Sequence, residues 1–147
     1  MVRFVEPDSP GFAVLVSALD EDLVERYPAL SDDPPAPARD LLAAVVAYAG
    51  NAPVGSGALR ALEPGVVEIK HMFVLPEARG LGAARRMLGV LEARGRALGY
   101  SAARLGSGVR QPEALALYEA SGYCRIPLFG EYEDGGELCV CYEKPLE

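Results

Sequence analysis

Arg79-Gly80-Leu81-Gly82-Ala83-Ala84 is the stretch of this chain whose residue types and spacing point most directly to chemistry. It follows a β-rich run, Val66 to Val74 (VVEIKHMFV), closed by Leu75-Pro76. It opens an apolar stripe at helical spacing (Leu81, Ala84, Leu88, Leu91, Leu98) that stops at Gly99. A glycine turn from a buried strand into a helix leaves several backbone N–H groups unpaired at the helix's positive end, which makes an anion site. Glycine at 80 and 82 lets a ligand come close to the backbone, and alanine at 83 and 84 keeps the first turn unobstructed. Residues 79 to 98 carry Arg79, Arg85, Arg86, Arg94 and Arg96 against the single acid Glu92, inside a chain of net charge −7. A phosphate-bearing ligand is the natural counterpart. The turn lacks both the Lys-Ser/Thr pair of a P-loop and the third glycine of a dinucleotide fingerprint.

The chain that must position this turn has 147 residues, half of them apolar and 24% charged, enough for one domain with a sizeable core. Fourteen Lys and Arg against 21 Asp and Glu argue against a surface built for nucleic acid or anionic lipid. No apolar run approaches the roughly 18 to 20 residues of a membrane helix, and the N-terminus lacks a signal-peptide core, so a cytoplasmic protein is expected. Cys124, Cys139 and Cys141 form no CxxC, and His71 is the only histidine. Reduced thiols and no metal site are therefore expected.

Val2 to Val5 reads as a strand, and Asp8-Ser9-Pro10 starts a helix carrying Phe12, Leu15, Val16, Leu19 and Leu23 to about Tyr27. Pro28 to Asp40, with four prolines, reads as a surface loop. Leu41 to Tyr48 and Val54 to Leu62 make a hairpin about Gly50-Asn51, although Leu41-Leu42-Ala43-Ala44 could equally begin a helix. After the glycine-turn helix come a strand from Ser101 to Leu105, a helix from Pro112 to Ser121, a strand from Tyr123 to Ile126 and a last strand from Leu138 to Lys144. The order β-α-β-β-β-α-β-α-β-β predicts an α/β sheet with antiparallel and parallel pairs.

Three ordered segments resemble the GNAT superfamily of N-acetyltransferases. Arg79-Gly80-Leu81-Gly82-Ala83-Ala84 fits its acyl-CoA signature, Arg/Gln-x-x-Gly-x-Gly/Ala. Glu68 to Glu77 is similar to the strand and Pro-acid turn before that signature, and Ala114 to Tyr123 to the tyrosine-bearing helix after it. The resemblance implies a single acyl-CoA N-acyltransferase domain over residues 1–147. Its fold would be a twisted, mostly antiparallel mixed sheet with a central parallel pair and helices on both faces. It implies direct transfer of the acetyl group of acetyl-CoA, as cosubstrate, to a primary amine, with a small-molecule acceptor favoured. A protein N-terminal or lysine acetyltransferase and a non-catalytic acyl-CoA sensor are the alternatives, and a homodimer is left open.

The same resemblance assigns roles. Backbone of Met72, Phe73 and Val74 would pair with the pantetheine arm, and Arg79, Gly80, Leu81, Gly82, Ala83, Ala84 and Arg85 would hold the pyrophosphate. Tyr118 would protonate the departing thiolate. Many members carry an asparagine where Gln111 stands, and some a glutamate base where Gly106 stands, so the base must lie elsewhere. Glu68 is the best candidate, a carboxylate in the apolar stretch Val66-Val67-Glu68-Ile69 whose burial would raise its pKa, although pairing with Lys70 would serve a structural role. His71 would face away from Glu68 unless a bulge intervenes. Asp20, Glu21, Asp22, Glu25, Asp32, Asp33 and Asp40 near helix one, and Glu131, Glu133, Asp134 and Glu137 near the last hairpin, form an acidic rim that favours a cationic amine.

Overall fold

The computed structural model describes residues 1–27 and 40–146. Of the loop expected from Pro28 to Asp40, residues 28–39, with Asp32, Asp33 and Arg39, lie outside them. The strands are β1 (Val2–Val5), β2 (Leu41–Ala49), β3 (Ala52–Glu63), β4 (Val66–Val74), β5 (Ala102–Gly108), β6 (Cys124–Ile126) and β7 (Cys139–Pro145). The helices are α1 (Pro10–Arg26), α2 (Ala83–Ala97) and α3 (Pro112–Ala120). Among the described residues seven strands join one sheet in the order β1-β2-β3-β4-β5-β7-β6, and only β4 and β5 pair in parallel. This is the mixed α/β architecture with a central parallel pair expected from the sequence.

Helix α1 starts where Ser9 caps it, its Oγ accepting the Phe12 N–H at 3.4 Å, with Pro10 in the first turn. Its face of Phe12, Leu15 and Leu19 packs with Ala44, Val46, Ala58 and Phe73 on one side of the sheet. Helices α2 and α3 cover the other side, where Met87, Leu88, Leu91 and Tyr118 pack with Ala43, Val45, Leu59, Val67 and Ile69. Because both faces of β2 are buried, Leu41 to Ala49 carries a continuous apolar run in place of alternation. That resolves the helix alternative at Leu41-Leu42-Ala43-Ala44 in favour of strand. The stripe expected on α2 is shorter than its sequence period: Leu81 is 71% exposed and Leu98 49%, since both lie outside Ala83–Ala97.

Two irregularities of β4 shape the centre of the sheet. Ser56 pairs with Phe73 and Ala58 with Lys70, so Gly57 alone faces both His71 and Met72, and His71 adopts φ 56° at this bulge. The parallel pairing with β5 ends at Glu68–Arg104, although β4 runs on to Val74 and β5 to Gly108. Beyond Glu68 the two strands part.

Candidate active site

Where β4 and β5 part, the β4 edge that faces β5 has no strand partner from Lys70 to Val74 among the described residues. A cleft of about 260 Å³ opens there on the α2–α3 side, lined by Met72, Phe73, Val74, Arg79, Gly80, Gly82, Ala83, Ala84, Arg85, Gln111 and Tyr118. Every cofactor-binding residue expected from the sequence borders it except Leu81, whose side chain points to solvent. An extended amide-bearing chain laid along β4 would find unpaired backbone groups, as an added strand does.

The cleft ends at the start of α2. Gly82 caps the helix in the left-handed region (φ 83°), which any other residue would enter only at a cost, and no side chain caps the N–H groups of the first turn, which an α-helix leaves without partners of its own. A Cβ placed on Gly80 or Gly82 would meet nothing within 4 Å, so the surface in front of the turn is open. Arg79 is braced, its Nε donating to the Val74 carbonyl at 3.0 Å and its guanidinium 5.7 Å from the Phe73 ring centre. Arg85 donates to the Ala120 carbonyl at 3.3 Å. Of the five arginines counted in this segment, only Arg79 and Arg85 line the cleft; Arg94 lies over the Phe4 ring and, like Arg96, belongs to the last turn of α2. The residues present thus fit an extended ligand ending in a pyrophosphate.

Tyr118 closes the cleft from α3. Its ring is buried against Tyr123 and Tyr142 at centroid distances of 6.0 and 6.1 Å, and among the described residues its hydroxyl bonds to none. Burial pushes its pKa well above the usual phenol range, so it stays a donor at any working pH. Gln111 precedes α3 and lines the cleft while its Oε1 accepts the Gly108 N–H at 3.2 Å.

Glu68 lies on the opposite face and does not border this cleft. It is 1% exposed, with Oε1 accepting from Arg60 Nε at 3.2 Å and Oε2 accepting from the Tyr132 hydroxyl at 3.0 Å, Lys70 Nζ standing 3.6 Å away. A structural reason for an acid here therefore exists: it ties Arg60, Lys70 and Tyr132 together. His71 reaches the same face, because the bulge intervenes, and its ring meets Phe12 edge-on at 6.0 Å. Burial first and then Lys70 lower its pKa to about 4, so it is neutral at pH 7.

The cleft also includes groups that sequence reasoning did not assign to it, Asp22 having been placed in the acidic rim. Ala114 and Leu117 follow from Tyr118 by helical period and could have been found that way. Asp22 and Glu113 meet at its edge because Arg26 pairs with both, at 3.0 and 2.5 Å, while the Tyr27 hydroxyl accepts the Arg110 N–H at 2.8 Å. Tyr132 is the other omission; no local pattern marks it. Of the three thiols only Cys141 is buried, and burial raises the pKa of both Cys139 and Cys141, which keeps them protonated and weakly nucleophilic. Among the described residues no cluster of His, Cys, Asp and Glu is arranged to hold a metal, and no helix is long and apolar enough to cross a membrane.

The Acetyltransferase (GNAT) family profile matches residues 13–123. An IAA acetyltransferase from Azospirillum brasilense is 38% identical over 136 residues, spanning 90% of this chain and 88% of that protein. A candidate acyl-CoA N-acyltransferase from Klebsiella pneumoniae superposes with a TM-score of 0.82 at 29% identity, covering 100% of this chain and 97% of that one. A GNAT family acetyltransferase from Elizabethkingia anophelis, solved with acetyl-CoA bound, shares the fold at a TM-score of 0.73 and 14% identity, covering 99% of this chain and 97% of that one. With its glycine turn, its parted central strands and its profile match in agreement, the chain belongs to the GNAT family of acetyltransferases.

Proposed function

We propose that this enzyme moves the acetyl group of acetyl-CoA to a primary amine of a small molecule, by direct transfer. The observation that carries this reading is the convergence on one cleft of the unpaired β4 edge, the glycine turn before α2 and the Tyr118 hydroxyl. Acetyl-CoA, when bound, supplies an activated thioester. Backbone of Met72 to Val74 binds and aligns its pantetheine amides. The N–H groups of Gly80 to Arg85, with Arg79 and Arg85, meet the pyrophosphate where the helix dipole favours negative charge.

Tyr118 donates its O–H to the sulfur as negative charge develops there. Complete proton transfer is uphill, because burial lifts the phenol above a thiol's usual pKa of about 8.5, so stabilisation by hydrogen bonding followed by a proton from solvent is the economical route. Glu68 is the base: held by Arg60 and Tyr132, it takes the ammonium proton through an intervening water at the point where β4 and β5 part. Nothing needs a thiol nucleophile, in keeping with the raised pKa values of Cys139 and Cys141. The name of the Azospirillum relative supports a small-molecule acceptor. Acids on α1 and between β6 and β7 favour one that is cationic.

The test is calorimetric titration with acetyl-CoA alongside thiol release with an amine panel. Wild type should bind and turn over, and Gly82→Asp, which sets a carboxylate before the pyrophosphate, should lose at least about tenfold in affinity. Unaltered acetyl-CoA affinity in a folded Gly82→Asp variant would remove the turn from the cofactor site.

A further inference from the structure

Between β6 and β7 the chain forms a 3-10 segment, Gly130–Leu138, kinked at Gly136. Its Tyr132 turns inward onto the α1 side of the sheet. There its ring lies against Gly106 so closely that a Cβ at 106 would fall inside the ring's contact envelope. On β5 the neighbours Ala103 and Leu105 pack in the α2–α3 core, so Gly106 faces the other side, toward Tyr132. The hydroxyl reaches across to β4, donating to Glu68 Oε2 at 3.0 Å and accepting from Lys70 Nζ at 3.3 Å. Lys70 in turn pairs with Glu131 at 2.5 Å, and Phe129 meets the Tyr132 ring edge-on at 5.4 Å. One side chain therefore spans the two parting strands on the face opposite the cofactor cleft, standing on β5 and fastened to β4.

We propose that Tyr132 is a specificity-determining residue: its ring plugs the acceptor side of the gap between β4 and β5, so that only slender primary amines reach the acetyl group. The inference rests on the acetyltransferase reading above. Position 106, where some relatives by resemblance carry a side chain, is glycine here because the tyrosine ring fills that volume. Gly106 and Tyr132 thus act as a coupled pair. Two hydrogen bonds and ring contacts with Phe129, Gly106 and the Lys70 ammonium hold the plug, so it narrows the opening by standing in it and acceptor size is read sterically.

The test compares a linear alkylamine with a branched aryl-alkylamine of the same charge, each as acceptor with acetyl-CoA. In Tyr132→Ala the ratio of kcat/KM for the aryl amine over the alkylamine should rise by about tenfold or more, the range expected when a pocket gains the volume of several methylenes. Tyr132→Phe keeps the ring and should leave that ratio within about twofold of wild type. Tyr132→Trp should lower it, which provides a second reading should the alanine variant not fold. Gly106→Ala alone should distort the plug and lower acetyl transfer to both amines, and the double variant Gly106→Ala/Tyr132→Ala should recover it. A folded Tyr132→Ala or Tyr132→Trp variant with the wild-type ratio overturns the proposal. Aryl-amine binding is measured in parallel by calorimetry with CoA present. Tighter binding in Tyr132→Ala while wild type acetylates no amine would uphold the plug and overturn the amine-acetylation reading instead.

Discussion

The Tyr132 hydroxyl donates a 3.0 Å hydrogen bond to the Glu68 carboxylate across 64 positions of sequence. This joins the segment between β6 and β7 to the last residue of β4 that pairs with β5, at the point where the central strands part. With Arg60 on the other oxygen, the carboxylate is held in one orientation, which suits the base role proposed for it.

Replacing Glu68 by glutamine keeps the shape and removes the basicity. The rate at neutral pH should fall by about 10² to 10⁴, and the acidic limb of the pH–rate profile should move upward, because the ammonium must then lose its proton to bulk solvent. Acetyl-CoA affinity should stay near wild type, since Glu68 does not border the cofactor cleft. An unmoved acidic limb would assign the base role to another group.

Tyr118→Phe keeps the packing against Tyr123 and Tyr142 while removing the hydroxyl proposed to donate to the sulfur. A fall in kcat of about 10² to 10⁴ with unchanged acetyl-CoA binding is expected. Stopped-flow measurement of single turnover isolates the chemical step, and a full rate there would show that solvent alone serves the leaving thiolate.

His71 links stability to pH. Its folded pKa of about 4 lies below the ordinary 6.5, so between these values the unfolded chain binds a proton that the folded chain does not. Stability is complete above about pH 6.5 and is lost as pH falls toward 4, by on the order of 1 to 2 kcal/mol once the ring's partial exposure is discounted. His71→Asn suits the positive φ at the bulge and lacks the titration. Urea unfolding at pH 7.5 and 5.0 should show a larger loss for wild type than for this variant.

Glu92 is 6% exposed on the α2–α3 side, bonded by the Tyr123 hydroxyl at 2.8 Å and Lys144 Nζ at 3.0 Å. Lys144→Met should cost about 1 to 3 kcal/mol by leaving the carboxylate one partner short. Adding Glu92→Leu should restore part of that, since an apolar pair can replace a buried ionic one. Chemical denaturation of the single and double variants measures both effects.

The acidic rim should act over distance. Glu133, Asp134 and Glu137 are exposed, as are Glu21 and Glu25 on α1. A diamine should therefore show a higher kcat/KM than an acidic amino acid at low salt, with the advantage shrinking at high salt as the Debye length falls to about 3 Å near 1 M. Preference for the acidic acceptor at low salt would reject a cationic substrate.

Sequence alone determined what short-range rules govern. Strand and helix order followed from period and from caps such as Ser9-Pro10, and the glycine turn followed from residues whose positive φ and bare backbone only glycine supplies cheaply. Both faces of β2 are covered, by α1 and by α2, so its continuous apolar run is compatible with helix or strand by period alone. Tertiary structure alone decided the rest. The bulge that turned His71 onto the face of Glu68 arises from register with β3, and a one-residue slip reverses every later side chain. The gap between β4 and β5, the Asp22–Arg26–Glu113 contact at its edge and the plug of Tyr132 over Gly106 all join residues far apart in the chain. Such meetings depend on how elements pack, which local propensity and periodicity do not encode.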